Sequence, residues 1–356
     1  MLVCYYGLLA CLGYHCLWRI PLQNGARSAF AAVKKTGLFP DGTRLLQQYT
    51  GIAAIDQRLE SAVIFYSGLL DRQDAVHRLL LIDVHSTMQA TALIMLASSR
   101  RGQNLGVISL LWVNVLSNKQ QTDSMNFREP AIWGMVNQFY GAAVIYPVYF
   151  MLHARDALSE HPEPDEAAFM LLVSACVGAL IPFSFLFPAF IPCSVKTRHR
   201  AIALYRIAPI GFVLLQFSLE KMVGRLLVIP SVAGSAPYLA AAVFAAAGHL
   251  YAILLAVNTR SPYKTLHRVF IPSDPPDSTR PSAITEAAHL FLQYDIVIIA
   301  ATFLPYAYFM LTSLRDAMLV FSPGVLVVLL VIGTIFLGPG SVLAISFAGR
   351  MHLSRG

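Results

Sequence analysis

Charge is what this sequence has least of. Only 13% of its 356 residues are Asp, Glu, Lys or Arg, while 56% are hydrophobic. A soluble globular chain carries about 25% charged residues, so roughly half of an ordinary water-facing surface has no charge to build it. Cysteine is scarce as well. Cys4, Cys11, Cys16, Cys176 and Cys193 all lie within or beside apolar stretches, and none forms a CxxC pair. That spacing offers neither a zinc site nor a redox motif, and it marks the five as packing residues.

Catalytic signatures are missing in the same way. There is no aspartate-rich DDxxD or NxxxDxxxD arrangement, so nothing is arranged to hold magnesium and a diphosphate. Nor is there a GxSxG, an HExxH, a Walker loop or a multi-histidine cluster. No metal site and no cofactor are therefore expected. The formal charge of +7 does not point to nucleic acid, because no basic stripe is interleaved with aromatics. The Lys and Arg residues sit instead in short loops beside apolar runs, as the positive-inside rule expects of a membrane protein.

What the chain does have is long apolar runs. They occupy residues 2–18, 58–71, 79–98, 105–117, 130–154, 167–193, 203–228, 236–257, 287–313 and 322–348. Runs of about 18 or more residues read as membrane helices, and no alternating ten-residue pattern suggests a membrane barrel. The 105–117 run is too short for an upright span and is expected to be re-entrant or interfacial. The fold expected is an all-α, polytopic transmembrane bundle of eight to ten helices, nine by the best count. Residues 1–356 would form one membrane domain with no soluble domain and no internal repeat. Residues 2–18 lack the basic n-region and cleavage site of a signal peptide and read as an anchor helix. Residues 19–52 are polar and basic, and are expected in the cytosol. Charge bias places Lys196–Arg200, the 260–268 loop, Arg350 and Arg355 on that same side. The acidic 155–166 and uncharged 229–235 loops would be lumenal. The Pro-rich 272–282 stretch is a loop.

Ionisable groups inside such helices are costly unless they face a cavity or a partner, so each is a candidate for function. Asp56 and Glu60, flanking Arg58, are spaced i,i+4 and share one helical face. Two close carboxylates push one pKa upward, which suits a general acid; a plain helix start with Asp56 favoured by the dipole explains them equally. Asp83 and His85 open the 79–98 run ahead of Gln89 and, two residues apart, face different neighbours. Arg206 and Glu220 are fourteen residues apart, which on one straight helix is about 21 Å along a shared face. Glu220 also abuts Lys221 and Arg225. Asp295 lies deep in its run with no Lys or Arg within ten positions and is expected to hold its proton.

Aromatics form a second theme. Trp133, Phe139, Tyr140, Tyr146, Tyr149 and Phe150 crowd one run, beside Asn137 and Gln138, and Tyr294, Phe303, Tyr306 and Tyr308 another. Ring faces can stabilise a cation; core packing and an interfacial belt are the alternatives.

The segment Phe39-Pro40-Asp41-Gly42-Thr43-Arg44, the stretch Thr50-Gly51-Ile52 up to Asp56, then Phe65-Tyr66 and Leu69 to Asp71 resemble fungal integral-membrane terpene cyclases. These are the cyclases of meroterpenoid (ascofuranone-type) and indole-diterpene (paxilline-type) pathways. Fainter similarity continues at Arg100-Arg101-Gly102-Gln103-Asn104 and over 137–150, and hydropathy layout matches along nearly the whole chain. The resemblance implies a multi-pass protein of the endoplasmic reticulum. It would cyclise a hydrophobic prenylated intermediate of secondary metabolism by protonating a terminal epoxide or alkene, without metal or cofactor. Membrane lipid and other enzymes of the pathway would be its surroundings. On that reading Asp56, Glu60, Asp83, Glu220 and Asp295 are the acid candidates. Trp133, Gln138, Tyr140, Tyr146 and Tyr294 are the candidates for holding substrate or cation. Two rivals stand beside it: a transporter of a hydrophobic metabolite, and a scaffold for partner enzymes. Paired broken helices would favour the transporter. Gly338-Pro339-Gly340 is a clear break, with no counterpart evident in the first half.

Overall fold

The computed structural model describes residues 2–23, 25–71, 75–101, 128–153, 165–226, 232–273, 280, 282–313 and 322–353. Among these residues the regular structure is helical, with one isolated antiparallel bridge between Leu38 and Arg44. The chain opens with α1 (Leu2–Tyr14), a π-helical turn (His15–Arg19), α2 (Ile20–Gln23) and α3 (Ala26–Thr36). Then come α4 (Ala53–Ser67), α5 (Ala75–Arg101), α6 (Arg128–Tyr140), α7 (Ala142–His153) and α8 (Asp165–Leu186), the last closed by a 3₁₀ turn. The remainder is α9 (Val195–Arg206), α10 (Ala208–Leu226), α11 (Ala236–Val257), α12 (Pro262–Phe270), α13 (Ala283–Thr312), α14 (Pro323–Leu337) and α15 (Pro339–Leu353).

Four stretches are long and apolar enough to cross a membrane: Ala75–Ser99, Ala168–Ala189, Ala236–Val257 and Ala283–Thr312. The bent pair α9–α10 makes a fifth when taken as one span. A helix of 20 residues reaches about 30 Å, the thickness of the hydrocarbon layer. The shorter apolar helix α14 presents a face of the same kind. On α14, Val325, Val328, Leu329, Ile332, Ile335 and Phe336 are all exposed, an apolar surface suited to lipid rather than water.

Three of the expected spans are not single helices. The 130–154 run breaks at Gly141, whose φ of 90° lies in the left-handed region that only glycine enters freely. The 322–348 run breaks at Gly338, with φ 85°. The 203–228 run turns by 57° between α9 and α10. Arg206 and Glu220 therefore do not share a face of one straight helix, because the bend at Ile207 separates them. The first half does contain a break to set beside Gly338, namely Gly141. Polar residues lie close to both breaks, Asn137-Gln138 before Gly141 and Arg206 before Ile207, yet each run is apolar enough overall to read as one span. The 105–117 run and residues 155–164 of the acidic loop lie outside the described residues.

α5 is the hub, packed along α11 and against α8, α13 and α15. Small residues permit the closest crossings. A methyl group added at Gly248 of α11 would strike Ser86, and one at Gly340 of α15 would strike the Thr87 backbone, both on α5. One core, around Tyr146, Phe150, Tyr238, Phe303 and Phe347, joins α1, α5, α7, α11, α13 and α15. A second, around Leu69, Leu80, Phe185 and Tyr205, gathers α3, α4, the start of α5 and the N-terminal part of α13. The polar 19–52 segment is part of this second body, because α3 turns Val33 and Phe30 inward while its lysines stay exposed.

Candidate functional site

The loop before α4 shows what the 39–56 motif builds. Gly42 N–H donates to the Phe39 carbonyl at 2.9 Å, and Asp41 Oδ1 accepts the Thr43 N–H at 2.8 Å, closing a tight turn. Asp56, in the first turn of α4, then gathers the following loop. Its Oδ1 accepts the Thr50 N–H and the Thr50 hydroxyl, each at 2.8 Å, and the Tyr49 N–H at 3.3 Å; Oδ2 accepts the Gly51 N–H at 3.1 Å. These bonds, the Thr50 N–H first among them, hold its carboxyl below the usual aspartate range. α4 is 15 residues long and falls outside the candidate spans. Burial pushes the Glu60 carboxyl up; nearby Lys34 opposes that, and Asp56 adds to it. Asp56 is thus engaged by the loop, and burial rather than the neighbouring carboxylate is the main cause at Glu60.

A cavity of about 440 Å³ lies where α3, α4, the α6–α7 break, the end of α9 and the start of α13 meet. Asp295 lines it, together with Gln138, Arg58, Arg206 and Arg27. So do the rings of Trp18, Phe65, Tyr66, Phe139 and Phe291. Those rings touch edge to face: Phe65–Phe291 at 5.1 Å, Phe65–Tyr66 at 4.7 Å and Trp18–Phe291 at 6.5 Å between centroids. Gly141 makes room for them, since a Cβ there would fall 2.6 Å from Leu17 Cδ1 and 2.8 Å from the Phe291 ring. Asp295 Oδ1 accepts the Ala143 N–H at 2.7 Å, at the first turn of α7. A carboxyl placed there satisfies an N–H that a helix start leaves unpaired; its second oxygen is not needed for that bond.

The other sequence candidates lie elsewhere. Asp83 Oδ2 is paired with His249 Nδ1 at 2.9 Å, and His249 Nε2 donates to the Ile335 carbonyl at 3.0 Å. His85 points away from that pair, toward the Tyr66, Phe185 and Tyr205 rings. Glu220 accepts from Gln216 Nε2 at 2.6 Å, and Ser174 donates to the same glutamine. Trp133 donates to Glu129, which also meets His153 at 2.8 Å. Tyr140 is exposed, its carbonyl accepting from Trp18 Nε1. Tyr294 packs beside Leu17, Ala143 and Ile298. Tyr146 lines a smaller space of about 40 Å³ that shares Met88, Asn137 and Gln138 with the main cavity. A third cavity, also about 440 Å³, lies between α5, α8 and α11 and holds no Asp, Glu, Lys or Arg.

Size does not choose between the two large cavities; chemistry does. Of the five acid candidates only Asp295 lines either of them. Among the described residues no group of three His, Cys, Asp or Glu converges to hold a metal. Trp18, Phe65 and Phe291 are site residues that reading the sequence missed. Phe65 belongs to the family-like segment, but nothing local marks Trp18 or Phe291.

Comparison with known proteins settles the kinship. A family model, the CtvD domain, matches residues 3–353. The chain belongs to the CtvD family. Its relatives in that family bear out the resemblance to fungal terpene cyclases. Terpene cyclase alnG of Emericella nidulans is 43% identical over 99% of this chain and 94% of its own length. Terpene cyclase DEP1 of Alternaria brassicicola is 30% identical over 98% of this chain and 97% of its own. DEP1 of Fusarium langsethiae is 27% identical over 96% of each. No solved structure matches the chain.

Proposed function

We propose that this terpene cyclase works inside the membrane, in the cavity lined by Asp295, and starts its reaction with a proton. The observation that carries the reading is that Asp295 alone among the candidate acids borders a cavity large enough for a prenyl chain. Asp295 gives its proton to a terminal epoxide oxygen or alkene carbon of a prenylated substrate. In the epoxide case the C–O bond breaks as the neighbouring double bond attacks, and the positive charge passes along the folded chain. The Ala143 N–H stabilises the carboxylate left behind. Faces of Trp18, Phe65, Tyr66 and Phe291 stand along the cavity to meet the travelling cation. The apolar lining keeps water from trapping it early. The last proton released by the cyclised cation returns to the Asp295 carboxylate, directly or by way of solvent, which restores the acid.

One carboxylate does not make a magnesium–diphosphate site, which supports a metal-independent cyclisation of the protonation-initiated kind. A hydrophobic substrate reaches such a cavity from the bilayer, which fits a multi-pass location in the endoplasmic reticulum beside other enzymes of the pathway. The test is product formation from an epoxy-prenyl substrate by the purified chain and by Asn or Gln variants of all five acids. The Asp295→Asn variant is expected to lose about 10²–10⁴-fold in rate, the usual range for a general acid. Full activity in that variant sinks the assignment. A purified wild-type protein that binds substrate without converting it would favour a scaffold or transporter.

A further inference from the structure

The same cavity carries more positive charge than a proton donor and a hydrocarbon chain call for. Arg27, Arg58 and Arg206 line it, against the single carboxylate of Asp295. Among the described residues no carboxylate pairs with any of these guanidiniums. Arg206 Nη1 donates to Gln138 Oε1 at 3.3 Å, while its Nε is buried without a hydrogen-bond partner. The Phe139 ring is shared by two of the arginines: Arg58 stands 5.6 Å and Arg206 4.7 Å from its centroid.

Arg27 and Arg58 stand exposed, whereas Arg206 is half-buried with its Nε enclosed, and a guanidinium held there without a counter-ion is costly. A cavity meant only for a hydrocarbon and a passing cation would gain nothing from these residues, and their charge would oppose the cation. An anion in the substrate removes both objections. We propose that Arg58 and Arg206 hold a carboxylate head group of the substrate beside the Phe139 ring. The proposal rests on the cyclase reading of this cavity and deepens it. Each guanidinium presents a planar fork of N–H donors that fits two acceptor oxygens. Gln138 orients the Arg206 fork, giving this glutamine a positioning role. Once bound, the head group offsets the arginine field before any positive charge forms in the chain. The prenyl tail then extends along the aromatic lining, Tyr66 included, to Asp295.

The test is equilibrium binding to the purified full-length protein in non-ionic detergent micelles, which bring no lipid phosphate. The probes are a farnesylated hydroxybenzoic acid and its methyl ester. The wild type is expected to bind the acid about 10-fold or more tightly than the ester, the scale of a charge-assisted hydrogen bond. Arg58 is exposed at the cavity rim, so R58Q is the variant least prone to misfold; it should bring the acid close to the ester and leave the ester within about twofold. R206K, which keeps the charge but loses the fork, should weaken the acid less than R206Q does. Equal binding of acid and ester by the wild type, or an acid preference that survives in R58Q, overturns the proposal. Displacement of the acid by dioleoyl phosphatidic acid at lower concentration would overturn it too, by reassigning the site to lipid. Binding is read here rather than turnover, so the two readings fail separately. If D295N keeps full activity the acid assignment falls, whereas the head-group site is judged by the acid and ester probes alone.

Discussion

Asp295 and Ala143 join two helices at a break in the fold: the carboxylate on α13 accepts the first-turn N–H of α7 at 2.7 Å. His249 and Ile335 form the complementary pair at the other glycine break. There the imidazole Nε2 of α11 donates to a carbonyl in the last turn of α14, at 3.0 Å. Each ionisable side chain matches the end it meets, an acid at a helix N-terminus and an imidazole at a C-terminus. The two breaks are therefore held by neighbouring helices.

On the proposed reading Asp295 has two separable duties, proton donor and cap of α7. Asn at position 295 keeps an oxygen for the Ala143 N–H, so D295N should melt near the wild type while losing turnover. Leu leaves that N–H unpaired, and D295L should lose about 1–3 kcal/mol of stability as well. Thermal melts run alongside product assays check the split, and equal stability of the two variants would refute the capping duty.

Gly141 shapes both the break and the cavity wall. G141A forces a side chain into a positive φ and onto Leu17 and Phe291. The expected cost is about 1–3 kcal/mol, with substrate affinity lowered because Phe291 must shift. A melting temperature equal to the wild type would show that the backbone there is freer than its φ implies.

Asp83 and His249 are each other's partner at 2.9 Å, and neither of the two large cavities described reaches Asp83. Removing one partner, as in D83L or H249L, should cost about 3–5 kcal/mol, and the double variant less than the sum of the singles. A melting series over the four proteins measures the coupling. Activity per folded molecule should persist in the double variant; its loss would return Asp83 to the catalytic candidates.

Asp56 governs a pH response. Its folded pKa is depressed, so its contribution to stability is fully present above the unfolded value, about 3.9, and is lost as pH falls through the folded value. D56N should lower the melting temperature at neutral pH and flatten the fall in stability on acidification. Identical pH profiles for D56N and wild type would contradict the loop-gathering role.

Legibility followed range along the chain. The 39–56 motif was visible as a family-like segment, but its work was not. The donors that Asp56 collects belong to the preceding loop, and only the folded turn aims them at it. The Gly-Pro-Gly break announced itself, whereas Gly141 and Ile207 sit inside runs whose overall hydropathy reads as one span. Arg206 was visible as a charge in need of company, yet Gln138 and Phe139 come from another helix, the former 68 residues away. Trp18 and Phe291 are ordinary aromatics until they meet across the cavity.

The sequence by itself determined the apolar runs, the resemblance to terpene cyclases and the set of candidate groups. Apolar runs sum over contiguous residues and need no partner to be read, and the short inventory of reactive groups left carboxylic acids as the leading candidates. Only the tertiary structure decided which acid shares a space with anything else. Depth within a helix makes five carboxyls look alike. A cavity, by contrast, forms where distant segments fail to fill the room between them, and Asp295, Arg58 and Arg206 reach the same one from three helices.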